Sequence, residues 1–333
     1  MTDRFALGRR TLIGAAATAL AAPALLVRTA QAAGEDIRKT AMSTEKDMPV
    51  PTRSLTLGDL KITVIQDGLR PSDKPEQTFG INQPPQAVAD LLTENFLPSD
   101  RFANGFSPVL IETGNELVLV DTGMGEGGRA NGLGRLEAGM AALGYTPEQV
   151  TLVVLTHLHG DHIGGLMAGG KPAFPKARYV IGQVEYDFWT NEARVGTPAE
   201  GGHQAVLKNV KPLAEKASFI GDGATVLPGM TAMAAFGHSP GHLTFRLESA
   251  GKALILTGDT ANHYVLSLQR PDWEVRFDMD KAKAAVSRRK VFDMIASERL
   301  PFIGYHMPFP SVGYAEKAGE GYRFVPHSYQ LDL

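Results

Sequence analysis

The stretch that decides the fold is His157-Leu158-His159-Gly160-Asp161-His162, which directly follows the apolar run Thr151-Leu152-Val153-Val154-Leu155-Thr156. The apolar run predicts a buried strand. Three imidazoles and one carboxylate then lie within six positions, which unrelated surface residues would produce only by a rare coincidence. A turn through Gly160 can direct the first two histidines to one metal ion and leave the aspartate and the last histidine for a second.

Further candidate ligands stand where other predicted strands meet loops. His242 follows a Ser-Pro-Gly turn, Asp259 ends an apolar strand, and His306 follows another apolar run. Each of them taken alone is better explained as a structural histidine or a capping aspartate. Together with the first motif they fill two sites that share Asp259 as a bridge: His157, His159 and His242 in one site, and Asp161, His162 and His306 in the other.

Composition narrows the classes of function. The chain has 333 residues, of which 43% are hydrophobic and 21% charged, as in an ordinary globular protein. Acidic residues outnumber basic ones by 36 to 33, which disfavours a nucleic-acid partner. The chain has no cysteine, so disulfides, thiolate ligands and cysteine nucleophiles are excluded. The chemistry must therefore use histidine, carboxylates, hydroxyl groups or metal.

Residues 1–32 have the pattern of a signal peptide. Arg9 and Arg10 precede an uncharged stretch, and Ala30-Gln31-Ala32 suits cleavage by signal peptidase. The segment around the two arginines resembles a twin-arginine signal. A membrane anchor is the alternative, but the stretch is shorter than the roughly 20 residues that usually span a bilayer. We therefore expect a periplasmic or secreted protein that leaves the membrane after cleavage, with a flexible leader over 33–52.

Residues 53–333 are predicted to form one domain, because no Pro/Gly/Ser-rich linker divides them. Turn residues at 58–59 and at 113–115 each separate two apolar runs and predict two hairpins. The roughly 40 residues between the hairpins lack strong periodicity, which favours a functional loop or lid. Strands in hairpins with helices between them predict two packed sheets with helices outside.

Periodicity places the remaining elements. A capping pattern at Thr146-Pro147-Glu148-Gln149 predicts a helix start. The other predictions are strands at 179–181, 230–235, 243–248 and 253–257, and helices at 133–143, 183–189, 203–210 and 280–297.

The motifs together resemble the metallo-beta-lactamase superfamily. The resemblance rests on the histidine-rich turn, on Pro-Gly-His at His242, on Thr-Gly-Asp at Asp259 and on the late His306, with Asp121-Thr-Gly in support. It covers about residues 53–333 and implies an α/β fold, an αββα sandwich with a dinuclear metal site at the sheet edge. By analogy Asp121 would position the site from behind its ligands, although a plain turn aspartate is the alternative.

Within the superfamily the chain is similar to methyl parathion hydrolase and the related exported lactonases and aryl esterases. The similarity is carried by segments 117–123, 162–166, 187–189, 306–310 and 321–326. It implies an exported, dinuclear metal-dependent hydrolase of lactones and aryl esters that also hydrolyses organophosphate triesters of the methyl parathion or paraoxon type. Residues 70–106 and 260–277, where a substrate pocket would form, match less well, so substrate preference is the least transferable part.

The expected mechanism uses two divalent metal ions, with zinc favoured and manganese, cobalt or iron as alternatives. Such a pair lowers the pKa of a bridging water enough to give a nucleophilic hydroxide at neutral pH. The predicted catalytic residues are Asp259, as the bridge, and Asp161, as the nearest group to shuttle a proton. The expected partner is a small-molecule lactone, ester or phosphotriester, and the resemblance implies a homodimer.

Five residues are candidates for the substrate pocket: Trp189, Phe106, Asn262, His263 and Phe277. The family resemblance places Trp189 there. The alternative for every aromatic among them is ordinary packing, because large aromatics usually fill cores. His263 is expected either to donate a hydrogen bond to a substrate oxygen or to face solvent.

Three other functions fit the same scaffold. A β-lactamase is disfavoured because Asp259 resembles the bridging aspartate of other hydrolase branches. An iron-dependent sulfur dioxygenase would consume oxygen with a persulfide substrate. A metal-carrying module without catalysis is disfavoured because all seven ligand positions are occupied by suitable residues.

Overall fold

The computed structural model describes residues 49–332, and two seven-stranded sheets form its centre. In chain order the strands are β1 (Thr52–Leu57), β2 (Leu60–Ile65), β3 (Gly68–Asp73), β4 (Arg101–Phe106), β5 (Val109–Glu112), β6 (Leu117–Val120), β7 (Leu152–Val154), β8 (Met167–Ala168), β9 (Lys171–Pro172), β10 (Arg178–Gly182), β11 (Ala217–Ile220), β12 (Thr225–Leu227), β13 (Met230–Ala234), β14 (Leu243–Ser249), β15 (Lys252–Gly258), β16 (Pro301–Gly304), β17 (Val312–Ala318) and β18 (Gly321–Pro326).

The helices lie between and after the groups of strands. They are α1 (Pro85–Glu94), α2 (Leu136–Ala142), α3 (Gly160–Ile163), α4 (Gln183–Thr190), α5 (Glu200–Asn209), α6 (Leu266–Gln269) and α7 (Lys281–Glu298). Helix α7 begins where the side chain of Asp280 accepts a hydrogen bond from the backbone N–H of Lys283 at 3.0 Å, and it ends at Arg299 in a left-handed conformation. None of the helices in the described part of the chain is long and apolar enough to span a bilayer.

The first sheet has the order β1-β2-β5-β6-β7-β10-β11, with antiparallel pairs up to β6 and parallel pairs from β6 to β11. The second sheet runs in sequence order from β12 to β18, and its one parallel pair is β15 with β16. Strands β3 and β4 form a separate two-stranded ribbon, as do β8 and β9.

Alternate side chains of the strands divide the core into layers. One face of each sheet packs against the other sheet, as with Val118 and Val154 of the first and Phe245 of the second. The opposite face of the first sheet packs against α2, α4 and α5, and that of the second packs against α7. Strands β6 and β7 are buried along their whole length, because they have apolar neighbours on both faces. The predicted αββα sandwich is confirmed.

Most predicted elements are present, and three differ. The capping pattern at Thr146 closes only a single 3₁₀ turn, Pro147–Gln149, rather than opening a longer helix. The helix predicted over 133–143 begins at Leu136, because Leu133 packs instead against Phe106 and Tyr305. The predicted loop between the hairpins contains the ribbon β3–β4 and helix α1, so it is folded.

The beginning of the domain also differs slightly from the prediction. Thr52, predicted to be the last residue of a flexible leader, opens β1 and pairs with Ile65, and Val50 is buried. The predicted signal peptide over 1–32 lies outside the described residues.

Candidate metal centre

The candidate ligands converge from the ends of strands in both sheets. His157 and His159 follow β7, while Asp161 and His162 lie on the short helix α3 that begins in the same turn. His238 lies between β13 and β14, Asp259 directly follows β15, and His306 follows β16. Strand β7 of the first sheet and strands β13, β15 and β16 of the second thus supply the residues, which places the site at one edge of the sandwich.

The first donor group consists of three histidines. The Nδ1 atom of His159 lies 2.9 Å from Nε2 of His157 and 2.9 Å from Nε2 of His238. Burial, with the neighbouring His238 second, lowers the pKa of His159 to about 3, and burial lowers the pKa of His157 well below its usual value. The imidazoles of His157 and His159 are therefore neutral at pH 7, with lone pairs available to a cation.

The second donor group consists of Asp161, His162, Asp259 and His306, whose ligand atoms lie within 4.8 Å of one another. Nε2 of His162 lies 3.3 Å from Oδ1 of Asp259 and 3.6 Å from Oδ2 of Asp161. Nε2 of His306 lies 3.0 Å from Oδ2 of Asp259. Three of these side chains are almost fully buried, whereas that of Asp161 is 23% exposed.

The Nδ1 atoms of four histidines have hydrogen-bond acceptors outside the two donor groups, which directs Nε2 of each ring towards the other ligands. Nδ1 of His162 lies 2.8 Å from a carboxylate oxygen of Asp121, and Nδ1 of His306 lies 2.8 Å from the carbonyl oxygen of Gly105. His157 and His238 are anchored in the same way, to the hydroxyl of Thr156 at 3.1 Å and to Asp278 at 3.0 Å. With the proton on Nδ1, each Nε2 lone pair faces the interior of the site.

Two buried atoms at the centre, Nε2 of His162 and Oδ1 of Asp259, lie 3.3 Å apart but form no well-aligned hydrogen bond with each other or with any other group. Buried polar atoms are rarely left unpaired. Burial opposes charge on His162, yet the carboxylates of Asp259, Asp121 and Asp161 outweigh it and raise the pKa well above the usual value. This concentration of buried carboxylates and histidine nitrogens fits divalent metal ions in both donor groups.

The predicted third histidine of the first group is wrong. The structure places His238 there, and not His242. Nε2 of His242 instead accepts a hydrogen bond from the backbone N–H of Asp259 at 3.0 Å, so its lone pair is already used. A Cβ atom at Gly258, whose φ is +49°, would lie only 2.7 Å from the same Nε2, so the backbone passes directly over the ring. His242 supports Asp259 from outside the donor groups.

Asp121 lies directly behind His162, where the resemblance placed it. One carboxylate oxygen accepts hydrogen bonds from His162 Nδ1 and from the hydroxyl of Thr156, each at 2.8 Å, and the other accepts from the backbone N–H of Thr156 at 2.9 Å. Its φ of +58° is uncommon for a residue other than glycine. Asp121 therefore orients both the histidine and the turn that carries it.

Glu185 is a buried connecting residue that the sequence analysis did not identify. Its carboxylate accepts hydrogen bonds from the backbone N–H groups of Leu158 and Gly241, the hydroxyl of Ser239 and the indole N–H of Trp189, at 2.7 to 3.1 Å. The glutamate thereby joins α4 to the two loops that carry His159 and His238. The helix also contains Gln183, Asp187 and Thr190, so nothing in its local sequence marks Glu185 as the buried polar residue.

Asp278 and Arg288 were also missed. Asp278 accepts from His238 and from Arg288, and Arg288 is fully buried although it lies on a long amphipathic helix. Burial opposes ionisation of Asp278, but the hydrogen bond from His238 and the charge of Arg288 outweigh it and lower its pKa. Nothing in the local sequence predicts the contact between Asp278 and Arg288, because the two residues are ten positions apart and lie on different sides of the start of α7.

Two predicted pocket residues are core residues in the structure. Trp189 is 4% exposed, donates to Glu185 at 2.7 Å and packs edge-on against His159 at 5.8 Å between ring centroids. Phe106 is fully buried and packs edge-on against His306 at 5.5 Å. Both pack against the outer side of a ligand histidine, so the alternative of ordinary packing applies to them.

The other predicted pocket residues lie beside Asp259. Asn262 donates from Nδ2 to Oδ2 of Asp259 at 3.0 Å. Nδ1 of His263 accepts from the backbone N–H groups of Val265 and Leu266, each at 3.1 Å, and burial lowers its pKa to about 4. His263 therefore neither faces solvent nor donates from Nδ1, and its remaining ring proton is on Nε2.

Phe277 belongs to an aromatic cluster built from both weakly matching segments. His263 packs edge-on against Phe79 at 5.2 Å, and Phe79 packs edge-on against Phe102 at 5.1 Å. The partly buried members of this cluster are Leu97, Phe102, Tyr264, Trp273 and Phe277. The segment predicted as a lid and the segment after Asp259 thus share one apolar layer.

The metallo-beta-lactamase superfamily profile matches residues 107–298, more than half of the chain, and the protein belongs to this superfamily. It is a metal-dependent hydrolase, and its two groups of His and Asp donors are suited to divalent metals. The fold, the donor groups and the profile agree on this assignment.

Three known proteins illustrate the similarity. An N-acyl homoserine lactonase of Bacillus cereus is 26% identical over 215 residues, which cover 59% of this chain and 79% of the relative. AidC, a dizinc quorum-quenching lactonase solved with a product, has a TM-score of 0.76 and 24% identity, covering 84% of this chain and 98% of AidC. The hydrolase AbOPH of the beta lactamase superfamily has the same TM-score and identity, covering 84% and 99%. At this identity the two structures show a shared fold.

Proposed function

We propose that the protein is an exported dinuclear hydrolase of lactones and aryl esters that also hydrolyses organophosphate triesters. The observation that carries the proposal is the pair of donor groups joined through Asp259. Oδ2 of Asp259 lies 3.0 Å from Nε2 of His306 in one group and 3.3 Å from Nε2 of His238 in the other. One carboxylate therefore serves both groups, as a bridging ligand would.

The proposed ligands follow the donor groups, with His238 in place of His242. His157, His159 and His238 hold the first ion, Asp161, His162 and His306 hold the second, and Asp259 bridges them. Zinc is the first choice because histidine and carboxylate ligands suit it, and because the similar lactonase AidC is described as dizinc. Manganese, cobalt and iron are compatible with the same ligands.

The bound pair of divalent ions supplies an activated water and polarises the scissile carbonyl or phosphoryl oxygen. Residues of the chain supply proton transfer and hold the ligands in position. The side chain of Asp161 is 23% exposed, so its Oδ2 is suited to deliver a proton to the leaving oxygen of the substrate. Asn262 holds Oδ2 of Asp259 through its amide N–H, which keeps the bridge in place as charge changes during the reaction.

Substrate recognition is proposed to involve the aromatic cluster beside Asp259. Asn262 and His263 directly follow the bridging residue, and His263 packs against Phe79 of the cluster. Half-buried aromatic side chains favour the apolar acyl or aryl part of an ester. A tetrahedral ester intermediate and a phosphotriester transition state share charge and shape, so organophosphate hydrolysis is expected as an overlapping activity.

A lactone or ester substrate is favoured over the alternatives by the relatives, several of which are named N-acyl homoserine lactonases. The β-lactamase and sulfur dioxygenase functions have no comparable support. Export and homodimer formation are further parts of the proposal, and they rest on the N-terminal sequence pattern and on the family resemblance.

The test is a parallel rate assay of the zinc-loaded protein on an acyl-homoserine lactone, dihydrocoumarin, an aryl acetate and methyl paraoxon. Asp259→Asn is the control variant. We expect the lactone or ester to have the highest kcat/KM, with the variant inactive on all four. If methyl paraoxon had the highest kcat/KM instead, the main substrate would be a phosphotriester. Inactivity on all four, combined with oxygen uptake on a persulfide, would overturn the proposal in favour of the dioxygenase.

A further inference from the structure

Behind His238 lies an ion pair that is almost completely inside the protein. Arg288 is 0% exposed and Asp278 is 2% exposed. Nη2 of Arg288 donates to Oδ2 of Asp278 at 2.8 Å, and Oδ1 of the same carboxylate lies 3.0 Å from Nδ1 of His238. Desolvating two charges often costs more than their attraction returns, so stability alone does not explain a pair at this position.

The remaining donors of Arg288 fix the neighbouring backbone. Its Nε donates to the carbonyl of Thr260 at 2.8 Å, and its Nη1 donates to the carbonyl of Pro271 at 2.7 Å. Thr260 directly follows Asp259. A single guanidinium on helix α7 therefore holds the acid behind His238 and the turn beside the bridging aspartate in one arrangement.

We propose that Asp278, held in place by Arg288, is a positioning residue for the metal centre. The carboxylate accepts the Nδ1 proton of His238, which fixes the ring and leaves the Nε2 lone pair directed at Nδ1 of His159, 2.9 Å away. Without this acceptor the ring can place its proton on Nε2, and that tautomer cannot bind metal through Nε2, the atom that faces His159. The inference rests on the proposed function, because it concerns the same donor groups.

Two double variants, which differ only in whether residue 278 can accept a hydrogen bond from His238, isolate the effect of that hydrogen bond. Asp278→Asn with Arg288→Met removes both charges but keeps a carbonyl oxygen that can accept from His238. Asp278→Leu with Arg288→Met removes the charges and the acceptor. Both variants lose the bonds from Arg288 to Thr260 and Pro271, so that shared effect cancels in the comparison. Neither variant leaves a buried charge unpaired, which is the change that most often prevents folding.

The readout is metal binding, measured by zinc competition with a chromophoric chelator and by the absorption spectrum of bound cobalt. Loss of an outer hydrogen-bond partner typically weakens metal affinity by about 10 to 100 fold. We expect such a loss for one of the two metal equivalents in the Leu variant, with a changed cobalt spectrum and substantial rescue in the Asn variant. Equal affinities and spectra in the two folded variants would overturn the proposal.

A second measurement needs no variant. In the zinc-loaded wild-type protein, nitrogen-15 NMR is expected to show the proton of His238 on Nδ1 and no proton on Nε2. A proton on Nε2 would overturn the proposal even if the double variants failed to fold. Wild-type protein that bound no metal would refute the proposed function itself, whereas two bound metals with unaltered double variants would refute only the role of Asp278.

Discussion

Oδ2 of Asp259 lies 3.3 Å from Nε2 of His238, and this contact joins the two donor groups of the centre. The same oxygen contacts His306 and accepts from Asn262, each at 3.0 Å. A carboxylate this deeply buried is stable as an anion only if positive charge or hydrogen-bond donors surround it. The arrangement explains why one residue at the end of β15 is expected to control both metal sites.

The first prediction separates His238 from His242. His238→Ala is expected to lose one metal equivalent, and its lactone hydrolysis should fall by more than about 100 fold, because a ligand is removed. His242→Gln should keep both equivalents and lose at most about 10 to 100 fold, because it disturbs only the support of Asp259. Metal analysis and initial rates measure both. Loss of metal from the His242 variant alone would show that the ligand assignment is reversed.

The second prediction concerns Asp121. Asp121→Asn cannot accept all three hydrogen bonds from His162 and Thr156, so zinc affinity should fall by about 10 to 100 fold. Asp90→Asn, on the exposed surface of α1, is the matched control and should bind zinc as the wild type does. Equilibrium competition with a chelator measures both variants, and equal affinities would contradict the positioning role of Asp121.

The third prediction is a pH effect on stability at His263. Its folded pKa is lowered to about 4 from 6.5 by burial, so the unfolded chain binds a proton at a higher pH than the folded chain does. Its contribution to stability is therefore present above pH 6.5 and is lost as the pH falls towards 4. The shift corresponds to a loss of up to about 3 kcal/mol.

The measurement is urea unfolding of the metal-free protein and of His263→Asn between pH 7 and pH 4. Asparagine can accept from the same backbone N–H groups but does not titrate in this range. The free energy of unfolding of the wild type should fall relative to that of the variant as the pH is lowered. A constant difference would mean that His263 is protonated in the folded protein as readily as in the unfolded chain.

The fourth prediction separates packing residues from substrate contacts. Phe277→Ala should raise KM for an aryl ester by about 10 fold relative to a short-chain lactone, because it removes apolar surface from the proposed pocket. Trp189→Phe should leave the ratio of kcat/KM values between these substrates unchanged, while lowering stability by about 1 kcal/mol through the lost bond to Glu185. Steady-state kinetics and urea unfolding test the pair. If the ratio of kcat/KM values changed in the Trp189 variant, Trp189 would contact the substrate after all.

Regular elements and the histidine-rich turn were predictable from the sequence because their information is local. Apolar alternation located both hairpins and the strand before His157, and close spacing brought four donors into one turn. The choice between His238 and His242 was different, because both occur in one Gly-His-Ser-Pro-Gly-His segment. Which ring enters the site depends on how the loop between β13 and β14 folds, and spacing does not determine that path.

The residues that hold the ligands in place from distant helices and loops could not be predicted from the sequence. Asp278 reaches His238 from 40 positions away, and Glu185 reaches Gly241 from 56. Such contacts arise only when the sheets and helices have packed together. The aromatic residues show the same limit, since both Trp189 and Phe277 were candidates for the pocket, yet Trp189 is buried in the core and Phe277 is only partly buried beside another cluster.

The most direct test of the central claim is a stepwise titration of the metal-free protein with zinc, with lactone hydrolysis measured at each addition. The account predicts two tightly bound equivalents and full activity only after the second, and it predicts that Asp259→Asn binds the second equivalent poorly and stays inactive. Full activity with one equivalent, or undiminished two-metal binding and activity in the variant, would contradict a dinuclear centre joined by Asp259.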